Sequence, residues 1–365
     1  MAKRRSHGEG TLYYSNTHEL WVAQITLPNN KRKTKYSKDQ KTAREWLLAQ
    51  RDALKDGFLV EDDKLTVSQF LDKWYSDVAV HSLRPKSLES YEYLIRLHIK
   101  PNIGFIKLVN LSPANLQNLY SKKINQGLSN RTVQYIHSII HRALNQALRW
   151  GWVSRNVADL VQPPSIKRKS PETLNSEQVR KLLAVLLGDR LYPLYVLAIS
   201  TGMREGELLG LYWEDVDFFS NTIHVRRAIQ QLRNKGLVIT EPKSDKSKRN
   251  IAVPTFAMDV LWNYKEAQGY TEGLVFRTAN NTPISPRNLV RHFKSSLQRA
   301  ELPNIRFHDL RHTAATLLLN SGVHPKVVQE MLGHSQINLT LDTYSHVLPD
   351  IQREAAEKMD LLLRN

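Results

Sequence analysis

A chain of 365 residues is longer than one ordinary domain, so more than one folding unit is expected, each able to bury a core. Its 52 Lys and Arg outnumber 35 Asp and Glu for a net charge of +17, which concentrates polyanions around the molecule and makes nucleic acid the expected partner. The absence of cysteine excludes disulfide scaffolds, thiolate nucleophiles and cysteine-held zinc, and no apolar run is long enough for a membrane span or a secretion signal, so a reducing cytoplasm is expected.

Residues 1–60 carry +6, residues 61–170 carry +8 and residues 171–365 carry +3, so most of the surplus lies in the first half. Three short strands are expected around Leu12–Tyr14, Leu20–Ile25 and Lys33–Tyr36, separated by turn residues at Asn16-Thr17 and Pro28-Asn29-Asn30. Ala43, Trp46, Leu47, Ala53 and Leu54 then share one helical face that Gly57 would end. The second turn and third strand hold Lys31, Arg32, Lys33, Lys35 and Tyr36, a density suited to a sheet lying on DNA; a solvated basic edge is the other reading.

From residue 64 to 162 the period is helical. Val67, Phe70, Leu71 and Trp74 open a first helix; Ser87 is expected to cap a second containing Leu88, Tyr91 and Ile95. Ser112-Pro113 starts a third that Gly127 ends, and Ser129 starts a fourth with Val133, Ile136, Ile140, Ala143 and Ala147 on its buried face. Residues 163–171 hold Lys167, Arg168 and Lys169 between prolines and are expected to be a linker, either solvated or lying along a phosphate backbone. In residues 172–365 helices are mixed with strands expected at Ile223–Val225, Val238-Ile239, Ile251–Val253 and Leu274–Phe276. The expected fold is therefore multidomain: a small N-terminal β-sheet plus helix (1–60), an all-α helical domain (64–162), and an α+β, mainly α, domain (172–365).

Four local patterns in the last domain carry chemistry. Thr201-Gly202-Met203-Arg204-Glu205-Gly206-Glu207 sets an arginine in the first turn of a new helix, where its charge is unfavourable unless an anion, either a phosphate or Glu205 or Glu207, answers it. Glu241 to Arg249 reads as a polar hairpin whose tip offers Lys243 or Lys246. His308 and Arg311 are spaced i, i+3 and share a helical face, and Leu332-Gly333-His334 precedes Tyr344 by ten residues.

Together these residues resemble the tyrosine recombinases, specifically the phage-type integrases, over residues 172–355. The resemblance implies a catalytic set of Arg204, Lys243, His308, Arg311, His334 and Tyr344, with no metal and no cofactor. It also implies a core-type DNA-binding helical domain, an arm-type DNA-binding domain at residues 1–60, and a tetramer on double-stranded DNA with DNA-bending and directionality factors as further partners. The chemistry of the set agrees: a phenol with pKa near 10 needs help to lose its proton, two guanidiniums suit the oxygens of a phosphodiester, and a lysine can protonate a leaving 5′-oxygen. The implied product is a 3′-phosphotyrosyl ester that rejoins without ATP, as expected of an integrase moving a phage or mobile element in a bacterial host. Three other readings stay open. One is a metallohydrolase built on His308 and His312. The others are a type IB-like topoisomerase and a non-catalytic DNA-binding regulator. Ile351, Ala355, Met359 and Leu362 form an apolar stripe that either closes its own domain or, as the resemblance implies, docks on a neighbouring subunit.

Overall fold

In the computed structural model the chain divides into two units, Met1–Lys167 and Arg168–Asn365. The structure describes residues 10–26, 32–55, 64–166, 171–233, 235–240 and 248–333, with 356–357, 359–360 and 363–364 near the C-terminus.

The first unit begins with the expected meander: β1 (Thr11–Ser15), β2 (Leu20–Thr26) and β3 (Arg32–Ser37), antiparallel in that order, followed by α1 (Gln40–Lys55). Alternation along β2 sends Ala23 and Ile25 to one face, where Ala43 and Leu47 of α1 bury them with Leu12, Trp21 and Trp46 alongside. On the opposite face Tyr13, Val22 and Tyr36 stand in register across the three strands.

Four helical stretches follow, as the periodicity predicts. The first is α2 (Val67–Trp74), which runs through a wide π-type turn at Tyr75–Ala79 into α3 (Val80–Ser82). The second is α4 (Pro85–Leu94), continued by a similar turn at Ile95–Ile99 into α5 (Lys100–Ile103). It starts earlier than Ser87: Pro85 takes the first helical position, where its fixed φ suits the helix and its missing N–H costs nothing, and Arg84 precedes it with no side-chain cap. The third and fourth, α6 (Pro113–Asn125) and α7 (Asn130–Arg149), start where expected, because Ser112 accepts from the Asn115 N–H and Ser129 from the Thr132 N–H. Phe70, Trp74, Ile99, Leu116, Tyr120, Ile136 and Ile139 fill the core between them.

The second unit is mainly helical: α8 (Ser176–Leu186), α9 (Tyr192–Thr201), the short α10 (Glu205–Leu209), α11 (Thr255–Gln268), α12 (Pro286–Arg299), α13 (Asp309–Asn320) and α14 (Pro325–Leu332). Between α10 and α11 lie β4 (Val216–Asp217), β5 (Thr222–Val225), β6 (Ala228–Leu232), β7 (Gly236–Thr240) and β8 (Arg249–Ala252). Three expected strands are thus present, but their pairing differs from the expected hairpin. β7 pairs with β6, whereas β8 pairs with β5 in a separate sheet ordered β4-β5-β8, so residues 241–248 connect two sheets. The fourth expected strand, Leu274–Phe276, is reduced to a bridge from Leu274 to Tyr212; its apolar residues are instead core filling around Val275 and Phe276. Helix α9 is buried on nearly every side and α13 packs against it, while Ala315 of α13 packs with Val328 and Leu332 of α14. Among the described residues no helix is long and apolar enough to cross a membrane.

Ile139 has no exposed surface. Ile139→Ala should lower unfolding stability by about 2–5 kcal/mol, read from urea denaturation; a loss below about 1 kcal/mol would remove this side chain from the core.

Candidate active site

α9 ends at Gly202, in the left-handed conformation (φ +61°). A Cβ there would lie 2.5 Å from Leu332 Cδ2, so glycine allows both the turn and the close approach of α14. Two residues later Arg204 stands at the cap position of α10, one step before the expected first turn. Its backbone N–H donates to Glu207 Oε2 (2.9 Å) and its Nη1 to Glu207 Oε1 (2.7 Å), so Glu207, not Glu205, is the internal anion that answers it. Its Nη2 donates to the Gly333 carbonyl (3.2 Å), and the side chain is 37% exposed.

Arg311, almost fully buried, lies in the first turn of α13 and donates to two carbonyls, Nη1 to Gly202 (2.8 Å) and Nη2 to Leu332 (2.6 Å). A third guanidinium, that of Arg249 at the start of β8, donates through Nε to the Met331 carbonyl (2.7 Å). Its Nη1 and Nη2 hold Glu207 Oε1 and Oε2 at 3.2 and 2.9 Å. Three successive carbonyls at the C-terminal end of α14 therefore each receive a different arginine, drawn from α13, β8 and the cap of α10. The partial negative charge of a helix C-terminus favours this gathering of cations. Burial pushes the Glu207 carboxyl up, but the hydrogen bond and charge of Arg249 and the charge of Arg204 outweigh it and hold the group below the usual carboxylate range.

His308 caps α13. Asp309 accepts from the backbone and guanidinium of Arg306 (2.8, 3.0 and 2.7 Å) and fixes that entry turn. Desolvation, then the neighbouring His312 and Arg311, pulls the His308 imidazole down toward about 4, although the residue keeps an exposed surface where solvent weakens that shift. His312 packs edge-on against it, ring centroids 5.2 Å apart. Among the described residues no group of three or more His, Asp or Glu is placed to hold a metal ion.

Of the expected set, Arg204, His308 and Arg311 lie in this region; Lys243, His334 and Tyr344 are outside the described residues. Lys31, Lys167, Arg168 and Lys169 are outside them too. The pleat divides the rest of the basic cluster. Directly paired residues share a face, so Arg32 and Tyr36, opposite Thr26 and Val22, stand on the open face with Tyr13. Lys33 and Lys35, opposite Ile25 and Ala23, stand on the α1 side. Arg249 was not singled out in the sequence because it closes a run of charged residues that reads as solvated; the only signal is that Asn250-Ile251-Ala252-Val253 begins a strand there.

The arrangement gathers three guanidiniums at the end of α14, two of them on the Glu207 carboxylate, an excess of positive charge suited to an anion. Comparison with known proteins agrees with a phosphate-handling chemistry. Residues 172–350 match the phage integrase family, and residues 66–124 match the phage integrase N-terminal SAM-like domain. A tyrosine recombinase XerC-like protein of Caldanaerobacter subterraneus subsp. tengcongensis is 29% identical over 96% of this chain and 98% of its own. The Tn1549 transposon integrase, solved with circular intermediate DNA, superposes with a TM-score of 0.71 at 22% identity, over 81% of this chain and 99% of that one. The lambda integrase dimer bound to a COC′ core site gives 0.61 at 18% identity, over 94% and 96%.

The His308 ring should titrate near 4 in the folded protein, against 6.5 unfolded, followed by its NMR chemical shifts. Between those values the unfolded chain binds the extra proton, so this residue's contribution is fully present above pH 6.5 and is lost as pH falls toward 4. A midpoint near 6.5 would show that solvent at this exposed residue screens the ring from His312 and Arg311.

Proposed function

This chain belongs to the phage integrase family of tyrosine recombinases, and from that premise we propose that it is a site-specific DNA recombinase that cuts and rejoins double-stranded DNA to integrate a phage or mobile element. The observation that supports the reading most directly is the convergence of Arg204 and Arg311 on the adjacent carbonyls of Gly333 and Leu332, immediately before His334. Two planar forks held side by side suit the non-bridging oxygens of a phosphodiester and the extra charge they gain in the transition state.

In the proposed step Tyr344 attacks the scissile phosphorus. A P–O bond forms to its phenolic oxygen and the bond to the 5′-oxygen breaks, leaving a 3′-phosphotyrosyl ester and a 5′-hydroxyl. The phenolic proton passes to His308, whose depressed pKa leaves it neutral and able to accept. Lys243, or Lys246 three residues on, donates the proton to the leaving oxygen, and His334 donates a hydrogen bond to the phosphate. Because the ester keeps the energy of the broken bond, attack by a different 5′-hydroxyl rejoins the strands without a cofactor.

The chain is further proposed to work as three parts joined by a linker at 163–171. Residues 64–162 grip core-type sites beside the cut, residues 172–365 perform the chemistry, and residues 1–60 bind separate arm-type sites. Arg32 and Tyr36 on the open sheet face suit base and phosphate contacts, while Lys33 and Lys35 suit flanking phosphates only. The basic run Lys167, Arg168 and Lys169 is assigned to the phosphate backbone. Assembly as a tetramer on DNA, aided by DNA-bending and directionality factors in a bacterial cytoplasm, completes the reading.

On a nicked substrate carrying the element's own attachment site, Tyr344→Phe should abolish the SDS-resistant protein–DNA adduct while binding survives. An adduct persisting in that variant would remove Tyr344 as nucleophile. Arg204→Lys and Arg311→Lys should each slow adduct formation by about 100-fold or more, with DNA affinity nearly unchanged, because an ammonium cannot make the two-point contact; equal loss of binding and cleavage would point to folding instead. In the full chain, Tyr36→Ala combined with Arg32→Ala should erase any footprint distant from the core while leaving core cleavage intact. An unaltered footprint would refute the arm-site role.

A further inference from the structure

We propose that Arg249 is a positioning residue for strand cleavage: it locks the Glu207 carboxylate from the β8 side and thereby fixes where the Arg204 guanidinium sits. This deepens the clamp reading above and rests on it. Each Glu207 oxygen receives one bond from each arginine: Oε1 takes Arg204 Nη1 and Arg249 Nη1, and Oε2 takes the Arg204 backbone N–H and Arg249 Nη2. A carboxylate held at four points cannot turn, so Arg204 is left with a single orientation relative to the Gly333 carbonyl. Without Arg249 the same carboxylate, 4% exposed, loses half of its hydrogen bonds and is free to rotate toward Arg204 or away from it.

Arg249 also sets the other end of that contact. Its Nε holds the Met331 carbonyl, and Gly333 lies directly against it: a Cβ at residue 333 would fall 3.0 Å from Arg249 Cδ and 3.2 Å from Nε and Nη1. Gly333 adopts φ +66°, so two reasons require glycine there, the backbone and the arginine beneath it. The turn that presents the Gly333 carbonyl to Arg204 is thus seated on Arg249. With both terminal nitrogens on Glu207 and Nε on the Met331 carbonyl, Arg249 is committed to its own protein, and its effect on the phosphate passes through Arg204.

The test uses the full chain in single-turnover cleavage of a nicked attachment-site duplex, reading the SDS-resistant adduct, with DNA affinity measured separately. Arg249→Gln leaves a buried carboxylate short of a partner and risks misfolding, so Arg249→Lys, which keeps the charge and loses the fork, is the principal variant. Arg249→Lys should cut at least about tenfold more slowly, with affinity within about threefold and an unchanged circular dichroism spectrum. The double variant Arg204→Lys with Arg249→Lys should be no slower than Arg204→Lys alone, within about twofold, because one residue acts through the other. Wild-type cleavage by Arg249→Lys, or losses that multiply in the double variant, would overturn the proposal. Wild-type cleavage by Arg204→Lys would instead overturn the clamp on which it rests, a result separable from the first because it appears in the single variant that leaves Arg249 intact.

Discussion

The carbonyl end of α14 is the constraint around which the second unit is arranged. The last carbonyls of a helix have no partner within it and carry the negative end of the peptide dipoles, so a buried helix end must be met by donors from elsewhere. Here Met331, Leu332 and Gly333 are met by arginines from three different segments, and those segments are thereby tied together. A neutral donor could satisfy a carbonyl. Arginine does so while bringing charge, and under the proposed function two of the three guanidiniums form the phosphate clamp.

Concentrating cations has a cost that the same cluster offsets. Three like charges repel, and desolvating each is expensive. The repulsion is reduced by Glu207, whose burial would by itself favour the neutral acid but which the arginines hold ionised. The supporting structure is apolar and close-packed: α9 lies inside the core, Gly202 lets Leu332 touch it, and Thr313 on α13 accepts from the Leu174 N–H at the start of the unit. Rigid packing behind the arginines keeps their geometry fixed before any DNA arrives, which is where preorganised electrostatic stabilisation gains its strength.

Features set by neighbours in the chain could be read from the sequence. Ser112 and Ser129 cap helices through the N–H three residues on, and the i, i+3 spacing of His308 and Arg311 holds because Arg311 turns directly on the His308 carbonyl. Nonlocal features could not. Val238-Ile239 and Ile251–Val253 are recognisable as strands, yet nothing in either run says that they pair with β6 and β5 rather than with each other. Leu274–Phe276 has strand composition, but the fold uses it as core filling. Arg249 looks solvated because its partners, Glu207 and Met331, are 42 and 82 residues away. The even mixture of Lys31 to Tyr36 conceals a pleat that separates Arg32 and Tyr36 from Lys33 and Lys35.

Under the proposed function the α14 carbonyls and Glu207 hold Arg204 and Arg311 as a preformed phosphate site. The most direct measurement is a structure of the full chain trapped as its covalent adduct on a nicked attachment-site duplex. The account predicts the 3′-phosphate, esterified to Tyr344, with non-bridging oxygens in hydrogen-bond contact with both guanidiniums, and with the Arg204–Gly333 and Arg311–Leu332 carbonyl contacts still in place. A phosphate contacted by neither arginine would contradict it, as would a phosphate reached only after both arginines leave α14.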